Sequence, residues 1–444
     1  MLAVMSLNPS SRRHFLKSAG ALGTGLTVLP SGILKAGQSP NEKLNIALIG
    51  VAGRGAANMK GVEGENIVAL CDVDANALAA AARKFPKATT HVDWRRCLEQ
   101  KDIDAVVCST TDHTHAFVNV WAMNRGRHVY CEKPLANSVH EARVVRETYL
   151  RNKDKLATQM GTQIHATDNY RRVVELIRGG AIGTVKSADV WVGRPRKAES
   201  YYPAAKPVPS HIDWDLWIGP SPFHPYNPRY LSGDCQIWNR FWDFGTGQLG
   251  DMASHLIDLP YWALDLRFPT HCVANGEPVH PDCYPEKIKV TWKHPATDMR
   301  PPVEVSWYDG GPKPGMPIRA FNRDAMEQGI LFTGDKGWLL ADYQFRTLTL
   351  RGDMTHYEKP EPGDLIPPSP GHHQEWIHAC KTGAPTLCDF DYSGALVEHN
   401  LLGAVALRAG QPLEWDAADL KATNCPEADA FIRKTYRDGW VLNG

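Results

Sequence analysis

The order of apolar and polar positions divides the chain into two rhythms. From 44 to 161, short apolar runs alternate with stretches of helical period. Strands are predicted at 44–50, 67–72, 103–109, 128–132 and 157–161, with helices at 56–63, 75–85, 115–125 and 139–152 between them. Near-continuous apolar strands joined by helices are the pattern of a parallel sheet covered on both faces. After 161 the alternation stops. Helices are predicted at 170–178, 250–264, 374–381 and 392–408, with a strand at 186–193 and strand-like segments from 270 through 350. The stretch 200–242, dense in Pro, Trp and Tyr, predicts long ordered loops. Phe431, Ile432 and Tyr436 lie at helical spacing with Trp440 beyond them, so the tail needs a surface to cover. No internal repeat is visible. The fold class is α/β, with a first domain at 44–161, a second at 162–444, and a separate leading segment at 1–43.

Composition sharpens this picture. A chain of 444 residues exceeds one ordinary core and predicts two domains. Its 43% hydrophobic and 22% charged residues exclude a disordered or coiled-coil protein. Lys plus Arg and Asp plus Glu both number 49, so no global positive field draws in nucleic acid or an anionic membrane. The ten Cys form no CxxC pair, which argues against a zinc site or a disulfide framework. Several, such as Cys108, sit in apolar runs and read as small buried hydrophobes. Fourteen Trp offer flat surfaces that suit sugar rings, although core packing accounts for most of them.

At the N-terminus, Ser11-Arg12-Arg13-His14-Phe15-Leu16-Lys17 precedes a stretch rich in Ala, Gly and Leu. A charged region before a modest apolar one is the layout of a targeting segment. The string resembles the twin-arginine export signal, which implies a periplasmic or extracellular protein cut near Ala36. Four Gly lie within 20–32 and no apolar run reaches eighteen residues, so no stable membrane span is expected.

Gly50-Val51-Ala52-Gly53-Arg54-Gly55 follows the first strand and opens the first helix. Set against Gly-x-Gly-x-x-Gly, it carries Ala52 in the middle position. Gly50 permits the tight turn, Ala52 leaves room for a diphosphate, and Gly55 lets helix and sheet approach. Amides at the helix start, Gly53 among them, hold anionic phosphates, and Arg54 offsets their charge. Asp72, twenty-two residues after Gly50, ends the second strand where a carboxylate bonds ribose hydroxyls. That favours NAD over NADP, whose 2′-phosphate it repels. Ser109, Thr110, His113 and His115 follow the third main strand and face the ligand crevice as helix-start or cofactor-pocket residues. His113 and His115 have no third ligand at a metal-binding spacing, so no metal is expected.

Glu132-Lys133-Pro134 ends the fourth strand beside the same pocket. Pro134 turns Lys133 away from helix. A lysine near the nicotinamide donates to a substrate hydroxyl and stabilises its developing charge; a surface lysine at a strand end is the other reading. Asp251 and His255, four apart, share one face of the predicted helix at 250–264. His255 suits a general base near neutral pH, with Asp251 or Asp258 orienting its ring; the other reading is a helix cap and an ordinary histidine. The loop at 201–242 is expected to wall the substrate, with Trp214, Trp217, Trp238 and Trp242 as sugar platforms and Arg229 and Arg240 as hydroxyl donors. Gln163, just past the first domain, joins this set.

Taken in order, these motifs resemble the Gfo/Idh/MocA family of NAD(P)-dependent oxidoreductases, from residue 44 to the C-terminus. The resemblance implies an N-terminal Rossmann domain and a C-terminal α+β domain built on a large, mainly antiparallel open sheet. It also implies that Lys133 binds the reacting hydroxyl, Asp251 assists and His255 is the acid/base. A cis bond before Pro134 and homodimers or homotetramers paired through the open sheet belong to the same expectation. The likeness extends to a secreted branch and to sister NAD-dependent glycosidases, which oxidise, eliminate, add water and reduce again. A Tyr-Pro-Thr-His-Gly string expected of one such group is replaced here by Gly245-Thr246-Gly247-Gln248-Leu249-Gly250-Asp251. The expected function is therefore oxidation of a sugar, cyclitol or glycoside hydroxyl by a tightly held NAD. A redox-neutral glycosidase and a noncatalytic sugar-binding protein are the alternatives.

Overall fold

A computed structural model describes residues 42–233, 235–316, 326–350, 353–355 and 359–443. The export-type string at 11–17 lies outside the described residues. Six parallel strands form the first sheet. In spatial order they are Thr89–His91, Asn66–Cys71, Asn45–Ile49, Ala105–Cys108, His128–Cys131 and Thr158–Met160. The chain reverses its direction of travel across the sheet between Asn45–Ile49 and Ala105–Cys108, which opens a crevice at their carboxyl ends.

The flanking helices start where side chains satisfy free amides. Asp74 accepts from Asn76 N and Ala77 N at the start of Ala75–Lys84, and Ser138 accepts from Glu141 N at the start of Val139–Asn152. Glu141 in turn accepts from the amide of Asn137, the residue before the cap, at 2.8 Å. Helix Asp112–Asn124 begins earlier than its apolar period suggests, because Asp112, His113 and Thr114 of its first turn are polar yet buried.

Among the described residues the second sheet has ten strands. Asp353–Thr355, Arg346–Leu350, Gly337–Ala341, Gln328–Gly334 and Val185–Val192 are followed across it by Val303–Asp309, Ile288–His294, His271–Gly276, Leu413–Asp416 and Lys421–Ala422. Val185–Val192 and Val303–Asp309 pair in parallel, and the other neighbours are antiparallel. Alternation turns Val190, Val305 and Trp292 into the core, where the helix Phe390–Ala409 lies. That helix is enclosed between the sheet and Val139–Asn152, so it is apolar on nearly every side. Its buried Glu398 accepts from Arg143 at 2.7 and 2.9 Å, which joins the two helices.

Three regions differ from expectation. The predicted helix at 250–264 is three short pieces, Gly247–Gly250, Ala253–Leu256 and Asp258–Ala263, so Asp251 and His255 do not share one continuous helical face. The loop at 200–242 carries short helices at Trp214–Ile218, Pro228–Leu231 and Cys235–Trp238 around an aromatic cluster. Near the C-terminus only Asp429–Ile432 is α-helical. The rest crosses the first sheet's helices. Trp440 packs 6.2 Å from both Trp94 and Phe117, and the Trp121 indole donates to Val441 O at 3.0 Å. The ten cysteines are free, and no helix among the described residues is long and apolar enough to cross a membrane.

Candidate functional site

A cleft of about 750 Å³ opens at the carboxyl ends of the first sheet. Its floor is the loop after Asn45–Ile49. Gly50 has φ +83°, and a Cβ there would stand 2.4 Å from Ser109 O. A Cβ on Gly55 would stand 2.1 Å from Gly50 O. Only glycine allows this loop to lie between strand and helix. Ala52, Gly53 and Arg54 line the cleft beside it. Asp72 Oδ2 accepts from Val51 N at 2.9 Å and Oδ1 accepts from Asp74 N at 2.9 Å. Burial raises the pKa of this carboxyl against those bonds. It braces the loop and keeps further lone pairs for a ligand. The glycine cradle, the helix start and this carboxylate fit a dinucleotide.

Ser109 and Thr110 form the next wall. Asn58 Nδ2 donates to Ser109 Oγ at 2.9 Å and to Glu132 Oε1 at 3.0 Å. Arg54 lines the cleft but commits its Nε to Glu132 Oε1 at 2.9 Å. Burial opposes the Glu132 charge, yet Arg54 and Lys133 outweigh it and hold the carboxyl below its ordinary value.

The two early histidines staple backbone segments. His113 places Nδ1 3.0 Å from Phe244 O and Nε2 3.0 Å from Trp217 O; burial lowers its pKa to about 4, so the neutral ring donates to one of these carbonyls and packs against the other. His115 places Nδ1 2.6 Å from Pro134 O and Nε2 3.0 Å from Thr110 O. It thereby ties the nucleotide loop to the segment that follows the cis Lys133–Pro134 bond. Cys108 and Cys131, paired across neighbouring strands, bring their thiols within 4.8 Å of His115, a grouping that sequence spacing does not reveal.

Lys133, Asp251 and His255 meet despite the broken helix. Lys133 Nζ donates to Asp251 Oδ1. Arg196 donates to Asp251 Oδ2 at 2.5 Å and to Asn239 Oδ1 at 2.7 Å. Burial opposes the charges of Lys133 and Asp251. Asp251 nevertheless keeps Lys133 cationic with a raised pKa, and Lys133 with Arg196 holds the Asp251 carboxyl well below its usual range. Burial, then Lys133, lowers His255 to about 4. Neither aspartate orients the His255 ring. Its Nδ1 lies 3.3 Å from Thr162 Oγ1, which itself donates to Ser254 O at 3.0 Å. Asp258 is fully buried and engaged by His165 Nδ1 at 2.9 Å and the Tyr392 hydroxyl at 2.6 Å.

The substrate-wall residues separate into two groups. Trp217 and Trp238 line the cleft with Cys235. Trp214 stacks on Trp217 at 4.5 Å and donates to His224 O, and Trp242 packs against Tyr284 at 3.8 Å, so both serve cores. Arg229 lies over the Tyr202 ring and pairs with Glu199 at 3.1 Å. Arg240 donates to Lys197 O at 3.1 Å and also approaches Glu199. The Gln163 Oε1 is buried without a partner among the described residues. Sequence reasoning missed Thr162, Arg196 and Asn58. Arg196 had one signal, its position just past the strand Val185–Val192.

A parallel sheet with a glycine loop and a ribose-type carboxylate, joined to a large mixed sheet, defines a two-domain nucleotide-binding protein of Rossmann type. Residues 44–160 match the family model for "Oxidoreductase family, NAD-binding Rossmann fold", and residues 185–297 match its "C-terminal alpha/beta domain". Together these span more than half of the chain, which belongs to the Gfo/Idh/MocA oxidoreductase family. It is 31% identical over 123 residues to inositol 2-dehydrogenase of Salmonella typhimurium, 28% of this chain and 36% of that protein. It is 29% identical over 205 residues to α-N-acetylgalactosaminidase of Shewanella oneidensis, 39% of this chain and 43% of that protein. The matches thus span well under half of these curated relatives. Among solved structures, the WlbA dehydrogenase of Chromobactrium violaceum, in complex with NADH and UDP-GlcNAcA, shares the fold. Its TM-score is 0.61 at 18% identity, over 87% of this chain and 99% of that one.

Proposed function

We propose that this protein is an NAD-dependent oxidoreductase that oxidises a ring hydroxyl of a sugar, cyclitol or glycoside. The observation that carries the reading is the meeting of Lys133, Asp251 and His255 just past the carboxyl end of His128–Cys131, a strand of the same parallel sheet that carries the glycine loop and Asp72. Bound there, the nicotinamide supplies the hydride acceptor. Lys133 donates to the substrate oxygen and opposes the negative charge that develops on it. Asp251, braced by Arg196, aims the ammonium and preserves its charge. Thr162 takes the Nδ1 proton of His255 as a hydrogen bond, which leaves Nε2 with a lone pair for the hydroxyl proton. Trp217 and Trp238 give the cleft an aromatic wall. Asp72 supports NAD over NADP.

The similarity to the galactosaminidase favours a second reading, a redox-neutral glycosidase that begins with the same oxidation. Such a reading needs an additional base for the neighbouring C–H, and the two nearby tyrosines are engaged elsewhere: Tyr201 OH accepts from Asp243 N, and Tyr202 OH donates to Glu199. We further propose a nucleotide domain at 44–161 and a substrate and oligomerisation domain at 162–444. Export by the twin-arginine route and assembly as a homodimer or homotetramer complete the reading.

The test is a panel of free sugars, cyclitols and glycosides, with nicotinamide absorbance and product release followed together. Substrate-dependent NAD reduction supports the oxidoreductase. Glycoside cleavage without added NAD supports the second reading. Purified protein that binds sugar but neither reduces NAD nor cleaves glycosides overturns both. Arg12→Lys with Arg13→Lys should retain the protein in the cytoplasm, and unchanged export would remove the export reading.

A further inference from the structure

Most polar groups around Lys133 and His255 are already engaged. Lys133 and Arg196 donate to Asp251, Thr162 donates to Ser254 O, and the Tyr170 hydroxyl donates to His255 O at 2.8 Å. Tyr343 differs. Its ring meets that of His255 at 6.2 Å and 78°, and that of Tyr170 at 6.2 Å. Its hydroxyl is buried and has no hydrogen-bond partner among the described residues.

The position is built. Tyr343 sits in the turn between Gly337–Ala341 and Arg346–Leu350. Asp342 Oδ1 accepts from Gln344 N at 2.8 Å and Phe345 N at 2.6 Å. Asn169 Nδ2 donates to Asp342 O and Phe345 O at 2.9 and 3.1 Å, and Arg346 donates to Asn169 Oδ1 at 2.9 Å. A turn pinned at both ends holds the phenol in one place. Burial, then Asp251, raises the pKa of the hydroxyl and keeps it a proton donor. Leaving a buried O–H unbonded is costly, a cost that an arriving acceptor removes. Gln163, next to Thr162 in the chain, carries the complementary orphan, a buried Oε1 acceptor.

Resting on the oxidoreductase reading, we propose that Tyr343 is a substrate-binding residue whose O–H donates to a second oxygen of a polyhydroxylated ring while Lys133 and His255 engage the reacting hydroxyl. The contact fixes which ring hydroxyl is presented for oxidation. It forms equally in ground and transition states, so it governs binding more than turnover.

The experiment compares wild type with Tyr343→Phe on an accepted substrate and on analogues lacking one hydroxyl each. Expected for Tyr343→Phe are a KM raised roughly 3- to 10-fold, the range of one uncharged hydrogen bond, a kcat within about twofold, unchanged NAD affinity, and a melting temperature of the free protein no lower than that of wild type. One deoxy analogue should raise KM for wild type and not for the variant. Unchanged KM in Tyr343→Phe, or a fall in kcat with KM intact, overturns the assignment and leaves the oxidoreductase reading standing. Wild type inactive on every substrate overturns both.

Discussion

The Thr162 hydroxyl lies 3.3 Å from His255 Nδ1 and donates its own proton to Ser254 O at 3.0 Å. With its proton committed, Thr162 Oγ1 can only accept from the imidazole. The ring is therefore held with hydrogen on Nδ1 and a lone pair on Nε2. Thr162→Val should release this tautomer and lower kcat roughly tenfold, the worth of one good hydrogen bond, with NAD affinity unchanged. His255→Ala should lower turnover by roughly 10²–10⁴-fold. Stopped-flow single turnovers and NAD fluorescence quenching check both, and near-normal turnover in His255→Ala removes the base from His255.

The pH profile follows from the same ring. Burial and the Lys133 charge bring His255 from 6.5 to about 4, so the base is already neutral through the mildly acid range. The acid limb of kcat/KM should fall near pH 4, well below an ordinary imidazole. Lys133→Met removes the neighbouring cation, which should move that limb upward while damaging turnover and sugar binding together. An acid limb near 6.5 in wild type would contradict the environment assigned to His255.

Asp251→Asn should destabilise the fold by about 3 kcal/mol at pH 7, since Lys133 and Arg196 would then face one another without a counter-charge. The sign with pH is fixed. The folded carboxyl is held below its ordinary 3.8, so its contribution is full above that value and is lost as pH falls through the folded one. Urea unfolding should show the gap between wild type and variant narrowing on acidification.

Gly50→Ala and Gly55→Ala each push a methyl against backbone, at 2.4 and 2.1 Å. Each should cost roughly 1–3 kcal/mol and weaken NAD binding. Gly53→Ala is the contrasting variant: a Cβ there meets nothing within 4 Å, although its φ of +51° still disfavours a side chain. It should fold better than the other two. Isothermal titration with NAD and urea melts decide the order.

The C-terminal clasp rests on Trp440, buried against Trp94 and Phe117 beneath the Arg95 guanidinium, 4.5 Å from the ring. Trp440→Ala should lower stability by about 3 kcal/mol. Removing residues 429–444 should lower the melting temperature further, and an unchanged melt would show that the tail adds nothing.

Apolar runs determined five of the first sheet's six strands, because a strand covered on both faces must be apolar and its crossover helices amphipathic; the polar edge strand Thr89–His91 left no such signal. The glycine loop and Asp72 were legible for a related reason: backbone geometry admits few residue types at a turn this close to Ser109 O. Local pattern also indicated Lys133, whose direction depends on the proline beside it. The partner of His255 was not legible. Four-residue spacing pointed to Asp251, but the helix breaks after Gly250, and Asp251 turns to Lys133 and Arg196. The hydroxyl that orients His255 comes from Thr162, 93 residues earlier in the chain. Trp214 and Trp217 had equal claims as sugar surfaces, and only packing put the first in a core and the second also on the cleft wall. Strand and turn follow from short-range sterics and periodic burial, which neighbouring residues encode. Hydrogen-bond partners across 90 or more residues follow from how the two sheets bring distant segments together, and no local pattern carries that.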